Sequence, residues 1–366
     1  MVSSRGSYGV TGNDQIGTTY YLANFNSTGT SYQNVPAVTP NNIPNPVVSW
    51  ETTRKIEAAL DLHFLRDRIQ LTGNYFRNRT SNLLAAYMQP WLTGFNSVTR
   101  NLPGLVQNRG FDLTLTTTNL QLKDFSWTTT ILFTKMRNQV LKFPPSSPAA
   151  QIAANLAVGY PVGVLRLIKA AGVNPATGVY QYYDATGHIN ANLNQPQDNV
   201  VLEDLNPKWF GSVANTFTYK GFSLDVLFRV VKQIGRSALT QASYLLPPGF
   251  AQNASTATLG RWQKAGDVTN IQKYTASILN YTPWTYLPYS TAGWSDATYA
   301  RLQNASLRYT FASEVTKKLH VQNLQVYVLG ENLLTITSYG GYDPETQTLN
   351  HLPLVRTITG GLQVTF

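Results

Sequence analysis

The feature that most constrains this chain is an alternation of period two that returns along most of its length. Ile56, Ala58, Leu60, Leu62 and Phe64 alternate with Lys55, Glu57, Ala59, Asp61 and His63. Ile69, Leu71, Gly73 and Tyr75 alternate with Arg68, Gln70, Thr72 and Asn74. The same rhythm carries Phe111–Leu115, Phe125–Phe133 and Phe222–Val230. It is clearest at Ala305, Leu307, Tyr309 and Phe311 set against Asn304, Ser306, Arg308 and Thr310. Successive strand side chains point to opposite faces, so each segment reads as a strand with one apolar and one polar face.

A soluble sandwich alternates too, and three further features separate it from a membrane barrel. First, only 13% of the 366 residues are charged, against roughly 25% in ordinary soluble chains. No run of about 18 apolar residues occurs, which excludes a transmembrane helix. The mean hydropathy of −0.18 fits strands that face lipid and lumen in turn. Second, short and long connections alternate. Leu65–Asp67, Leu120–Lys123, Lys220–Gly221 and Ala312–Lys318 read as tight turns, and about 81–109, 137–207, 233–298 and 337–354 read as long loops. Short turns on one side and long loops on the other describe an outer-membrane barrel. Third, aromatics such as Tyr75, Phe125, Trp127, Trp209, Phe217 and Tyr219 fall near strand ends, as interfacial girdles do. The expected fold is all-β, an antiparallel transmembrane β-barrel with about ten strands over residues 1–366, the first a partial one near 3–9. Segments 162–170 and 179–183 are expected to add local hairpins.

The last segment, Leu362-Gln363-Val364-Thr365-Phe366, keeps the parity of Ile358 and ends on an aromatic. It resembles the terminal signal read by the barrel-assembly machinery, which points to Phe366. Ten strands can close a small barrel, but the sequence does not pair the first strand with the last. Open edges in lipid leave backbone groups unsatisfied, so either the barrel closes at about ten or further strands lie upstream. Residues 1–6 carry no apolar core of signal-peptide length, so an exported polypeptide is expected to begin further upstream or to be truncated. The formal charge of +10 is scattered, which suits a solvated surface or anionic lipid head groups rather than nucleic acid. Cysteine is absent, which removes disulfides and thiolate metal sites.

Six segments in order then resemble the SusC/RagA family of TonB-dependent proteins. They are Ser7-Tyr8-Gly9-Val10-Thr11-Gly12-Asn13-Asp14; Ser49-Trp50-Glu51-Thr52-Thr53 with Ala59-Leu60-Asp61; and Asn108-Arg109-Gly110-Phe111-Asp112. Asn206-Pro207-Lys208-Trp209-Phe210-Gly211 follows, with Tyr219-Lys220-Gly221-Phe222-Ser223; then Tyr299-Ala300-Arg301-Leu302-Gln303-Asn304. Last come Gly330-Glu331-Asn332-Leu333-Leu334-Thr335 and Gly341-Tyr342-Asp343-Pro344-Glu345. The resemblance implies that the chain is the C-terminal part of a 22-stranded TonB-dependent transporter barrel, with a plug and an N-terminal TonB box outside this stretch. It implies a SusD-like surface lipoprotein as partner, energy delivered through the TonB complex, and import of glycans, peptides or similar nutrients at the outer membrane. Asn206, Pro207, Gly330, Glu331, Asn332, Asp343, Pro344 and Glu345 are then structural motif residues.

The family's cation-binding stretch in the middle loop is altered here to Asp184-Ala185-Thr186-Gly187-His188, which lacks the second acidic ligand. Calcium wants six to eight oxygens, so neither metal nor cofactor is assigned and a plain turn is expected. His63, His188, His320 and His351 show no metal-ligand spacing. No nucleophile elbow or P-loop occurs, and no enzymatic role is assigned. The aromatic-rich loop 233–298, expected outside the cell, offers Trp262, Tyr281, Trp284, Tyr286, Tyr289 and Trp294 for solute or partner contact; packing of the loop against itself is the alternative. A small passive pore, a surface adhesin and a soluble β-rich binding domain are the competing readings of the whole.

Overall fold

The computed structural model describes all residues except 15, 17–19, 34, 144–154, 191–192, 243–246, 251–255 and 349–351. Its main sheet has ten antiparallel strands in simple chain order. They are β1 (Val2–Asn13), β2 (Glu51–Phe64), β3 (Ile69–Met88), β4 (Ser97–Gln121), β5 (Phe125–Lys142), β6 (Trp209–Tyr219), β7 (Phe222–Lys232), β8 (Tyr299–Thr310), β9 (Asn323–Thr337) and β10 (Thr357–Thr365). The strands β1 and β10 are the two edges, and they do not pair with each other.

Register turns the alternation into two continuous faces. Leu62, Leu71, Leu115, Ile131, Val213 and Phe228 form one row across β2 to β7. The opposite face is a ladder of polar pairs. Asp61 accepts from Arg5 at 2.6 Å and from Thr72 at 2.8 Å. Asp112 accepts from Thr134 at 2.8 Å, and Asp225 from Thr216 at 2.7 Å. Such cross-strand pairs satisfy polar groups within the sheet and fix register.

Among the described residues the apolar face carries no second sheet, and the main strands make most of their contacts with their ladder neighbours. Leu60, Leu113, Leu307 and Val328 are left 43%, 39%, 47% and 52% exposed. A contiguous apolar surface of this kind is foreign to a protein bathed in water.

Connections at one end are short. Leu65, Arg66 and Asp67 all take positive φ (53°, 56° and 65°) to turn β2 into β3. Between β6 and β7, Lys220 has φ 51°, and a Cβ on Gly221 would lie 2.6 Å from the Thr310 carbonyl, so glycine is required by close approach. The segment expected as a plain turn after β8 holds a helix, Ser313–Lys318, with Glu314 in its first turn and Lys317 and Lys318 in its last, an arrangement that suits the helix dipole.

All long connections lie at the other end, but one expectation is corrected. Most of 81–109 is not a loop: β3 and β4 stay paired from Ser81–Leu105 to Met88–Ser97. These strands have 20 and 25 residues, where about 10 suffice to cross a bilayer, so the ladder continues well beyond the apolar band. The strand β5 likewise runs on to Lys142. A hairpin, Phe25–Tyr32 with Val35–Pro40, stands between β1 and β2.

The buried core sits at the long-loop end, where loop segments build a cap. Lys169–Val173, Tyr180–Tyr183 and Ile189–Asn190 form a three-stranded sheet. Leu165–Leu167 does not form the local hairpin expected of it and pairs instead with distant Val201–Glu203. Ile234–Arg236 pairs with Trp294–Asp296, and a helix spans Ile278–Thr285.

Candidate functional site

Two structures at the long-loop end organise the candidate site: a charged joint that ties the cap to the sheet, and an aromatic core within the cap. The joint centres on Arg301 in β8, whose side chain is only 2% exposed. Its Nη2 donates to Asp343 Oδ2 at 2.7 Å, its Nη1 to Glu345 Oε2 at 2.8 Å and its Nε to Thr335 Oγ1 at 3.1 Å. Arg229 in β7 donates to the other oxygen of Glu345 at 3.0 Å. Asp343 Oδ1 accepts from the backbone N–H groups of Glu345 and Thr346. The Pro344 carbonyl accepts from Gln233 at 2.6 Å and Gln347 at 3.1 Å. Asp343, Pro344 and Glu345 thus clasp the loop before β10 to the upper ends of β7 and β8. Asp343 is engaged by one guanidinium and two backbone N–H groups and Glu345 by two guanidiniums, which is how a charge is kept in a poorly hydrated place.

Of the other motif residues, Gly330, Glu331 and Asn332 lie midway along β9, and Asn206 and Pro207 just before β6. Gly330 is buried, and a Cβ there would lie 2.7 Å from the Leu333 side chain. Asn332 takes φ 52° where β8 and β9 slip register, and its amide donates to the Val355 carbonyl at 3.2 Å. Glu331 is exposed and pairs with Asn304 and Thr357 across the ladder. Asn206 caps Asp204 through backbone and side chain, and Pro207 follows it into β6. Phe366 is 85% exposed at the end of the edge strand.

The aromatic core joins segments far apart in sequence. Ile168, Tyr180, Tyr182, Trp284 and Leu287 are all buried together. Tyr180 stacks on Tyr182 at 6.1 Å and meets Trp284 edge-on at 6.0 Å, and Tyr182 meets Tyr286 edge-on at 5.8 Å. The Tyr182 hydroxyl donates to the Pro283 carbonyl at 2.8 Å, and the Tyr180 hydroxyl donates to that of Asn270. Burial pushes both hydroxyls well above the usual tyrosine value. Backbone bonds lock Ile168 to Tyr289 and Thr291, both at 2.9 Å.

The six aromatics singled out in loop 233–298 therefore divide. Trp284 is 1% exposed and packs the cap from within. Trp262 is half-buried: its indole N–H donates to Pro175 at 2.8 Å and its ring lies where Gly178 (φ +72°) leaves room. Tyr281 lies 5.6 Å from Phe250, Tyr286 lies against Tyr182, and Trp294 lies 5.8 Å from the Arg236 guanidinium. Tyr289 presents its ring outward, 57% exposed. Tyr244, in the same loop, lies outside the described residues.

Asp184 closes the turn before Ile189. Its Oδ1 accepts from the Thr186 hydroxyl at 2.6 Å and from the N–H groups of Thr186 and His188. The Thr186 bond, chief among these, holds its carboxyl below the usual value. His63 lies 2.8 Å from Asp67 and His188 lies 2.9 Å from Thr186. His320 sits in the connection before β9, and His351 lies outside the described residues. Among the described residues no three His, Cys, Asp or Glu side chains gather in a way that could hold a metal ion.

Sequence reasoning named the acidic half of the joint and missed its basic half, Arg229 and Arg301. Parity offers a signal only for Arg229, which alternates with Phe228 and Val230; Arg301 shares the parity of Ala305, Leu307 and Tyr309 and comes opposite Arg229 only because the register slips between Leu302 and Asn304. It also missed Tyr180 and Tyr182, whose importance depends on the distant helix they meet.

No family profile matches the chain. Among curated proteins, a TonB-dependent receptor of Formosa agariphila is 25% identical over 407 residues, covering 99% of this chain and 39% of the receptor. A second receptor from that organism is 26% identical over 402 residues, covering 99% and 39%. The TonB-dependent receptor SusC of Bacteroides thetaiotaomicron is 25% identical over 341 residues, covering 88% of this chain and 32% of SusC. Among solved structures, that of the RagAB peptide transporter superposes with a TM-score of 0.83 at 23% identity, over 100% of this chain and 41% of that one. The 'open-open' state of the RagAB peptide importer gives 0.84 at 22% identity, over 100% and 40%. This chain spans about two fifths of the length of the first of these relatives. Over nearly its whole length, then, the chain is a relative of TonB-dependent receptors, SusC among them, and its ten-stranded sheet has the fold of part of a transporter barrel.

Proposed function

We propose that this chain forms part of the barrel wall of an outer-membrane importer that takes up nutrients in a TonB-dependent manner. The observation that carries the reading is the uncovered apolar face, in register across the sheet and backed by a polar ladder. Hydrocarbon satisfies the first face and a wet lumen the second. The names of the receptors similar to it support TonB dependence, and the peptide importer with the same fold supports uptake of a sizeable solute. The two open edges support a barrel completed by further strands, because an unpaired edge cannot persist in lipid.

In this reading the plug and the TonB contact belong to parts of the longer relatives that this chain does not span. The cap faces the cell exterior, where a SusD-like lipoprotein covers it and Trp262, Tyr281, Tyr286, Tyr289 and Trp294 meet solute or partner. Phe366 serves barrel assembly. The solute is a glycan, a peptide or a similar nutrient.

Uptake of labelled oligosaccharide and peptide mixtures by cells with and without the gene tests this, with the proton gradient intact or collapsed. The expected result is gene-dependent uptake that stops when the gradient collapses. Gene-dependent uptake that survives collapse would establish a passive pore instead.

A further inference from the structure

The apolar face ends abruptly at the long-loop side, and it ends on cations. In four adjacent strands the residue two positions past the last apolar one, on the same face, is basic. Ile56 is followed outward by Arg54, Tyr75 by Arg77, Phe111 by Arg109, and Phe133 by Lys135, with Arg137 next above it. Arg77, Arg109 and Arg137 are directly opposite one another across β3, β4 and β5. Like charges set directly opposite across a ladder repel. No side chain of the five makes a hydrogen bond or ion pair among the described residues, and all but the half-buried Arg77 are exposed. Glu203 and Asp204 line a cleft with Lys135 and Arg137, but Glu203 is held by Lys208 at 3.7 Å and Asp204 by the Asn206 amide at 2.8 Å.

The cations are also level with one another in a specific sense. From Arg54 in β2 to Lys135 in β5 the first basic position drops by four residues: two between Arg54 and Arg77, none between Arg77 and Arg109, and two more to Lys135. That is about 14 Å along the strands over three strand spacings, also about 14 Å, a slope of about 45°. Strands in membrane barrels tilt by roughly 35–45°, so the slope cancels the tilt and sets the cations at one height, at the edge of the hydrocarbon.

We propose that this row is a docking site for phosphate-bearing headgroups of the lipid leaflet on the long-loop side. Guanidinium forks match phosphate oxygens two at a time, and an anionic headgroup relieves the mutual repulsion of the three aligned arginines. The inference rests on the reading of the sheet as a membrane wall.

The test uses the complete polypeptide and two vesicle preparations, phosphatidylcholine alone and phosphatidylcholine with phosphatidylglycerol. Insertion is read by protease protection, and lipid retained through detergent extraction is read by native mass spectrometry. The wild type is expected to retain phosphatidylglycerol preferentially. Basic residues near a lipid surface each strengthen its hold on anionic headgroups, so Arg77→Gln/Arg109→Gln/Arg137→Gln is expected to lower that preference about tenfold or more. The matching triple lysine variant is expected to keep part of it, and Arg66→Gln at the opposite rim to keep all of it. Inorganic phosphate in excess is expected to leave the retained lipid in place. Insertion with equal retention by wild type and the glutamine variant overturns the docking site alone, as does displacement of the lipid by free phosphate. Failure to insert into either vesicle overturns the wall reading and the docking site with it.

Discussion

The main sheet and the cap are stabilised in opposite ways. In the sheet, every strand is held by its neighbours in the chain, and each apolar side chain meets its counterpart one ladder step away. In the cap, the decisive bonds span great stretches of chain: Tyr182 to Pro283 across 101 residues, Ala170 to Thr291 across 121 and Arg229 to Glu345 across 116. Along the sheet's apolar face Leu60, Leu113, Leu307 and Val328 stay exposed, while the cap buries Ile168, Tyr180, Tyr182, Trp284 and Leu287 together. The sheet is therefore built for a solvent of hydrocarbon, and the cap carries its own dry core into water.

The sharpest way to break this division is at the joint. Arg301→Ala leaves Asp343 and Glu345 without their shared guanidinium, and losing one partner of a buried pair costs about 3–5 kcal/mol. Limited proteolysis is expected to cut the 338–348 segment first, while the far-ultraviolet strand signal persists. Within the cap, Trp284→Ala empties the centre of the aromatic cluster, for which about 3–5 kcal/mol is usual in a core. The same readout is expected to show cleavage near 270–290 with the sheet intact; loss of the sheet itself would mean that the two regions fold as one.

The complementary break is in the sheet. Leu113→Arg puts a cation on the apolar face and is expected to cost about 2–4 kcal/mol in lipid, whereas Thr114→Arg, one residue on, is expected to cost far less. The measurement is the folded fraction after urea titration in bilayers. Equal effects would contradict the assignment of faces. A smaller effect comes from alkali. Tyr180 and Tyr182 have hydroxyls raised by burial above their ordinary value of 10.0. Their contribution is whole below that pH and is lost as pH rises through the raised folded values. Tyrosinate absorbance is expected to show Tyr180 and Tyr182 among the late-titrating residues, released together with cap opening.

What was legible in the sequence follows the same division. Alternation located seven of the ten main strands because each of these has one face against a single environment; Leu60, Leu113 and Leu307 mark it residue by residue. It failed between Ser81 and Gln107, where Leu83, Leu84, Ala85 and Ala86 follow one another without alternating and the register slips between Ser81 and Leu83. There period two carries no polarity signal, so strand was taken for loop. It failed again at Leu165–Leu167, a three-residue strand whose partner lies at Val201–Glu203. Asp343-Pro344-Glu345 was readable as a structural motif, but its two arginine partners are fixed by topology rather than by local pattern. Trp284 and Tyr289 are indistinguishable in composition; only the packing of the cap separates a buried ring from a presented one.

The central claim is that the two-residue rhythm divides lipid from lumen, and quenching of single-site fluorophores by brominated lipid tests it most directly. Cysteines placed in turn at Leu71, Thr72, Gly73, Leu113, Thr114 and Leu115, labelled and reconstituted, are expected to give strong quenching at 71, 73, 113 and 115 and weak quenching at 72 and 114. Uniformly weak quenching, or quenching without alternation, would contradict the claim.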